Sequence, residues 1–547
     1  MEKENKLMKR KKMIIIIGIF VGALALRIYG FNRYDLWFDE LISNHYSYEN
    51  IKALAELYGE YFANYFVKRL MHDPSSVFYY LVVYIYSFLF GSGVMLRFLS
   101  VIFSMLALGV FYKLSRLFFD RKVSVYALLI MAFSPMQIWY AQEARVYSMA
   151  AFFVLLAVYC YLRALKTGKA SYLILFALSC VSACYSSYFS VFLLLPFVIM
   201  FIWNREEKNK IKWALITLLI FFSMIPLLFI LASHLSFVRS SFWLPVPSLR
   251  IVLNTCVVFV LGYSSAMWQI YTAPTIFVAL YIYGAYSFFR SNQKNAIILF
   301  LSFLAPIALT YLISRYVIPV YLDRQLFIYS PFYYLLIAKG VLSIKTKLFR
   351  IAAMFLVMVY IGFSLINYYH GFMLSSPKNR KSFYIGMHAK KNYTDLMFFI
   401  SAKLENDDAI LATNIQSYII AASCFKEDVM HNKSVCMGYF FYPYTVEYCL
   451  GTRSMVKSLG IDRLNLKTGQ LYGWWFKNGK RQIGKMRLQE NGIRRVWIIS
   501  SSWHLKGSLP RNSVDFRHYM SSHYKNVLST EKDGVYVDLF EITQTGA

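Results

Sequence analysis

The sequence predicts an α-helical polytopic membrane protein that ends in an α/β domain outside the membrane. Three observations carry that expectation. Hydrophobic residues make up 58% of the 547 and aromatic residues 19%, above the roughly 45–50% apolar content of a soluble globular chain. Long apolar runs recur from Met13 to Tyr369, as a bundle of spanning helices requires. Charged residues are only 16% of the chain, yet the formal net charge is +30, and Lys and Arg concentrate between the apolar runs. A basic excess can serve nucleic acid. This placement instead follows the positive-inside bias, so the expected partner is the lipid bilayer and not nucleic acid.

The N-terminus carries Lys9, Arg10, Lys11 and Lys12 ahead of Met13–Ile28, in the manner of a signal-peptide n-region. The apolar stretch is long for such a segment and no small-x-small site follows. An uncleaved first span with a cytoplasmic N-terminus is expected. Residues 30–76 form the first external loop, with Asp39-Glu40, an amphipathic helix near Ile51–Leu70 and then His72-Asp73-Pro74. Val77–Phe90 is wholly apolar but shorter than the ~20 residues a span needs, and is expected as a helix lying in the outer interface. That assignment fixes every later side. Met95–Leu117, Val123–Phe133, Val146–Leu162, Tyr172–Cys184, Phe189–Trp203 and Trp213–Leu231 alternate inward and outward. The Ser134–Arg145 loop then lies outside. Ile251–Leu261 is expected as a second interfacial helix. Tyr271–Phe289, Ile297–Ile313, Leu326–Leu342 and Ile351–Tyr369 complete roughly eleven spans, with the basic loops inside and the C-terminal part outside.

From Ser375 the composition turns polar and no long apolar run remains. The expected division is residues 1–374 as the membrane module and 375–547 as an extracytoplasmic α/β domain. Ala409–Thr413, Arg495–Ser500 and Val535–Ile542 have the composition of strands. Tyr393–Lys403 has helical spacing, with a stop at Asn406-Asp407-Asp408. Of seven cysteines, Cys160, Cys180, Cys184 and Cys256 fall in or beside apolar segments, as packing residues do. Cys424, Cys436 and Cys449 match no zinc spacing, and one disulfide among them is open in an oxidising compartment.

The external side is expected to gather polar groups at membrane depth: Asp39 and Glu40; His72 and Asp73; Gln142, Glu143 and Arg145; Arg239; Tyr321, Asp323 and Arg324. Each has a structural reading. Asp39-Glu40 suits a helix entry, His72-Asp73-Pro74 a turn, Glu143 and Arg145 a self-neutralising pair, and Arg324 a snorkelling side chain. Tyr140 and Tyr147 suit an interface belt. The functional reading uses them together. A lipid-linked sugar combines an apolar polyprenyl tail, a phosphate at the headgroups and a sugar beyond. Its transfer calls for an aromatic groove, a carboxylate to take the proton of the acceptor hydroxyl, and Arg to hold the leaving phosphate. Negative charge near the anomeric carbon also suits an oxocarbenium-like transition state. Arg145 and Arg324 are the phosphate candidates, and inversion at the anomeric carbon is expected.

These residues resemble those of the GT-C membrane glycosyltransferases, in particular the group of dolichyl-phosphate-mannose–protein mannosyltransferases and 4-amino-4-deoxyarabinose transferases. Leu36-Trp37-Phe38-Asp39-Glu40 is similar to the acidic signature of the first external loop. His72-Asp73-Pro74 and Tyr79-Tyr80 are similar to a His-Pro-Pro-Leu-Tyr-Tyr stretch, with Asp73 in place of the first Pro. Gly91 to Arg97 with Ser100 resembles the entry to the next span. Ser134-Pro135 with Tyr140, Glu143, Arg145 and Tyr147 resembles the second external loop. Tyr321, Arg324 and Pro331 resemble a late Arg-Tyr…Pro segment. Ser187 stands where relatives often carry His.

The resemblance covers Met13 to Tyr369. It implies a GT-C-like helical module with juxtamembrane helices, and Asp39 as catalytic base, with Glu40 beside it and Glu143 as the second acid of the same cavity. Arg145, Arg324, His72, Tyr321 and Tyr147 are the expected substrate- and phosphate-binding residues. The expected partners are a polyprenyl-phosphate sugar donor and a glycan, lipid or protein acceptor of the cell envelope. No cofactor is required, and a divalent metal stays open. Two rival readings remain: a transporter of lipid-linked sugars, although no inverted repeat is visible, and a non-catalytic subunit of an envelope-glycan assembly complex.

Overall fold

The structure, a computed structural model, describes residues 2–59, 63, 77–203, 210–241, 246–370, 392–405, 408–412, 417, 420, 436–439, 474–477, 480–483, 494–501, 509, 514, 517–518, 520–522, 524–532 and 535–542. Contacts divide the chain into two compact units. One holds Met1–Phe31, Tyr46–Ile51 and Ala63–Met387; the other holds Asn32–His45, Lys52–Phe62 and His388–Ala547.

The first unit is helical. Its elements begin with α1 (Glu2–Ile28) and, after α2 (Phe38–His45) and α3 (Tyr48–Tyr58), continue with α4 (Val77–Phe90), α5 (Leu96–Phe118), α6 (Arg121–Phe133) and α7 (Pro135–Ala141). They run on through α8 (Tyr147–Thr167), α9 (Ala170–Ser186), α10 (Leu194–Trp203), α11 (Lys210–Ser241) and α12 (Leu249–Leu261). The unit closes with α13 (Met267–Ser291), α14 (Gln293–Tyr316), α15 (Asp323–Leu326), α16 (Ser330–Leu342) and α17 (Lys347–Tyr369). Among the described residues, seven helices are long and apolar enough to cross a membrane, or eight if α6 and α7 count as one bent span. Each of the eleven expected runs is helical, several of them too short alone to meet that length. Val77–Phe90 is a single 14-residue helix with the expected bounds.

Two departures have local causes. The Ser134–Arg145 segment, expected as a loop, begins with a helix, α7, bent 55° from α6. Pro135 has no N–H and cannot continue α6, yet its fixed φ suits the first turn of a new helix. The hydroxyl of Ser134 at the break donates to the Phe259 carbonyl at 2.9 Å. Helix α11 runs ten residues beyond the expected Leu231, to Ser241. Ser and His are tolerable helix formers, and no Gly or Pro intervenes between Leu231 and Ser241.

The core of this unit is built on close crossings. Helix α8 packs against α5 and α9, and α16 against α6 and α13. At the last crossing a Cβ on Gly284 would stand 1.9 Å from the Leu336 carbonyl oxygen, and one on Gly340 2.0 Å from that of Leu280. Only hydrogen fits there, the small-residue solution to helix packing in lipid. Arg27, fully buried on α1, is held by neutral acceptors: Ser104 Oγ at 2.8 Å and the Ala132 carbonyl at 2.9 Å.

The second unit contains a five-stranded sheet in the order β2-β1-β5-β7-β6. Its strands are β1 (Asp408–Ala412), β2 (Cys436–Tyr439), β5 (Arg495–Ser501), β6 (Lys525–Lys532) and β7 (Val535–Glu541). Strands β1, β2 and β5 are parallel, and β7 and β6 continue the sheet antiparallel. A separate hairpin joins β3 (Trp474–Lys477) to β4 (Lys480–Ile483). The central β5, with Val496, Trp497, Ile498 and Ile499 all buried, reads as a continuous apolar run, as a strand covered on both faces should. Asp408 fixes β1 to β5: Arg495 grips it with Nε at 2.8 Å and a terminal nitrogen at 2.7 Å, and the Trp497 indole donates at 2.9 Å. Helix α18 (Thr394–Ser401) precedes β1 and buries Leu396, Met397 and Ile400. Cys436 lies on β2; Cys424 and Cys449 lie outside the described residues.

Candidate functional site

Asp39 and Glu40 lie in the second unit, in the first turn of α2. Trp37 is the residue before the helix, and its carbonyl accepts the first helical bond, from Leu41 N–H at 2.9 Å. Glu40, fully buried, turns back so that its Oε2 accepts the Trp37 N–H at 3.2 Å. This is the carboxylate half of a capping box, which secures the start of a helix. Asp39 is half-buried. The two acids of one motif thus occupy different settings, one inside and engaged by backbone, the other at the margin.

In the first unit the loop between α7 and α8 carries Glu143, Arg145 and, at the start of α8, Tyr147; all three are buried. Trp139 lies one helical turn before Glu143, and its indole N–H donates to Glu143 Oε2 at 2.9 Å. The Ser100 hydroxyl, from α5, donates to the Glu143 carbonyl at 2.6 Å and reaches that of Arg145 at 3.3 Å. Gln142 donates to the Leu26, Arg27 and Tyr29 carbonyls at 2.8–3.1 Å, and its own carbonyl accepts from Tyr368 at 2.6 Å. The loop backbone is therefore fastened to the ends of α1, α5 and α17. Tyr147 packs edge-on against Tyr140, with ring centroids 4.7 Å apart.

Tyr263 is the centre of this region. Its hydroxyl lies 3.1 Å from that of Tyr140. It also lies within electrostatic reach of Glu143, Asp323 and Arg324. Gly262 makes its placement tenable: its φ is +67°, and a Cβ there would stand 3.1 Å from that of Pro135. Below it, Thr255 donates to the buried Asp323 carboxylate and lies 2.9 Å from the Tyr321 hydroxyl. Burial, reinforced by Asp323, pushes the Tyr321 phenol well above its ordinary range, so it stays protonated and can donate. Arg324 is half-buried.

Among the expected residues, Tyr147 thus lies beside Tyr140, and Tyr321 shares Thr255 with Asp323. His72, with Asp73 and Pro74, lies outside the described residues. Among the described residues, no group of three or more His, Cys, Asp or Glu side chains is arranged to hold a metal ion. The sequence reading missed Tyr263 and Thr255. Both sit in or just after a short apolar helix, and their signals were a hydroxyl inside that run and a Gly-Tyr pair at its end.

Residues 73–230 match the family described as dolichyl-phosphate-mannose-protein mannosyltransferase. The fold is similar to that of ArnT from Cupriavidus metallidurans in the apo state, with a TM-score of 0.59, 10% identity, and coverage of 96% of this chain and 97% of that one. The structure of the same protein bound to undecaprenyl phosphate matches with a TM-score of 0.57 and 11% identity, covering 97% of this chain and 99% of that one. No curated protein sequence matches the chain.

Proposed function

We propose that the protein transfers a sugar from a polyprenyl-phosphate carrier to a glycan, lipid or protein of the cell envelope. In this reading residues 1–374 form the transfer module in the plasma membrane, the N-terminus is cytoplasmic, and residues 375–547 lie outside the membrane. Asp39 is the general base. It takes the proton of an acceptor hydroxyl as that oxygen bonds to the anomeric carbon. The bond from that carbon to the phosphate oxygen breaks, the carrier leaves as polyprenyl phosphate, and the configuration inverts. The phosphate is a weak base and needs no general acid; Arg324 and Arg145 stabilise its charge. Glu143 adds negative potential for the oxocarbenium-like transition state.

The observation that carries the reading is the contrast within the acid pair. Glu40 is fully buried and accepts a backbone N–H, whereas Asp39 keeps partial exposure at the start of α2. The family match and the undecaprenyl phosphate bound by a protein of similar fold support the carrier class. The test uses purified full-length protein in nanodiscs, with radiolabelled polyprenyl-phosphate sugars and acceptors extracted from the source membranes. Asp39→Asn should fold and lower transfer by about a thousandfold, within the range typical for general-base catalysis. Unchanged transfer would remove the mechanism. Label that crosses the bilayer with no new glycosidic bond would favour a transporter instead.

A further inference from the structure

We infer that the C-terminal domain acts as a clasp that sets the position of the catalytic aspartate, with Asp35 and Tyr393 as positioning residues. The inference rests on the reading of Asp39 as general base. Helix α18 opens at Tyr393, a residue whose own side chain makes no capping bond. The cap comes from 358 residues away. Asp35 Oδ2 accepts the N–H of Tyr393 at 2.6 Å and that of Thr394 at 2.8 Å. A carboxylate is the preferred partner for these orphan donors, which also lie at the positive end of the helix dipole. The Tyr393 phenol, buried, returns the grip and donates to the Leu36 carbonyl at 2.6 Å.

These bonds close on the residues just ahead of α2. Asp35 and Leu36 are followed by Trp37, whose N–H is bound by Glu40, and then by the first helical turn with Asp39. Three residues separate Asp35 from Asp39, and the Glu40 bond stiffens the interval. At its other end α18 is fastened to the sheet. Arg495, already bonded to Asp408, donates to the Lys403 carbonyl at 2.8 Å. A continuous set of hydrogen bonds therefore runs from β1 and β5 through α18 to the segment that carries Asp39. Catalysis that depends on a proton transfer in line with nucleophilic attack is sensitive to misplacement of the base by an ångström. A domain that held only itself would have no use for a cap drawn from the first loop.

The experiment compares Asp35→Ala, Asp35→Asn and Tyr393→Phe in the full-length protein in nanodiscs, by amide hydrogen exchange and by the transfer assay described above. Asp35→Ala should speed exchange over Phe38–His45 and the first turn of α18 about tenfold, as loss of a strong cap does. It should lower kcat about ten- to hundredfold with KM for the donor lipid unchanged, the signature of a misplaced base. Asp35→Asn keeps an oxygen for both N–H groups and should stay within about threefold of wild type, because Asn caps as well as Asp. Tyr393→Phe should fall between them. Wild-type exchange in Asp35→Ala would overturn the clasp, and so would an Asp35→Asn variant as impaired as Asp35→Ala, which would place the charge itself in the chemistry. If the wild-type protein transferred no sugar, the proposed function would fall while the exchange measurement still decided the clasp.

Discussion

The loop that carries Glu143 and the segment that carries Asp39 are both acidic, both follow an apolar helix, and differ in what holds them. The Glu143 loop is fastened from many sides by its own unit: Trp139 to its carboxylate, Ser100 to its backbone, and Gln142 to the end of α1. The holds on the Asp39 segment include its own capping bond and the cap it gives to α18. A carboxylate that only supplies potential can be locked in advance, since nothing about it changes during the reaction. A carboxylate that must receive a proton from an incoming hydroxyl needs room beside it, and support from further away.

The largest effect that sharpens this comparison should come from Asp408. Asp408→Ala removes a buried partner from Arg495 and Trp497 together. Loss of one member of a buried pair costs ~3–5 kcal/mol. Because Arg495 is 18% exposed and water can reach it, about 3 kcal/mol is expected for the sheet. Native-state hydrogen exchange should show β1, β5 and Phe38–His45 opening together, with the amides around Glu143 unchanged. Equal loss at both acids would mean that the two segments share one support, and the contrast would fail.

Glu143→Gln comes next. The amide carbonyl can still accept the Trp139 indole N–H, so the melting temperature should stay put. Only the charge is lost, worth about 1.4 kcal/mol, or roughly tenfold in transfer. That is far less than the loss expected of Asp39→Asn. Equal losses would put Glu143 in the proton transfer as well and dissolve the distinction between a locked acid and a receiving one.

How far this was legible in sequence follows from the same physics. Periodicity and length reveal what a residue does to its own segment. Val77–Phe90, Arg495–Ser500 and Val535–Ile542 were therefore found close to their bounds. Strand β6, Lys525–Lys532, was missed because it is mostly exposed, with polar and charged residues through most of its length and no apolar alternation. Pairing with β7 makes it a strand. The close approach of Gly284 and Gly340 was invisible for a related reason, since a glycine in an apolar run does not announce its partner. Asp39, Glu143 and Arg324 each stood out in the sequence because charge at membrane depth is costly. Asp35 did not, because an acid in a polar loop looks ordinary until the helix it caps is known.

Ser100→Ala is the smallest and the most discriminating change. The Ser100 hydroxyl is buried and serves the carbonyls of Glu143 and Arg145. Its loss leaves two acceptors without that donor, for about 1 kcal/mol. If the Glu143 loop is held from as many sides as its hydrogen bonds indicate, Gln142 and Trp139 should keep it in place. Transfer should then fall no more than about fivefold, with a melting temperature a few degrees lower. A drop approaching that of Asp35→Ala would mean that one hydroxyl sets the position of the second loop, as one carboxylate sets that of the first. The two acids would then be equally precarious, and the hydrogen bonds of the first unit would no longer set the Glu143 loop apart from the Asp39 segment.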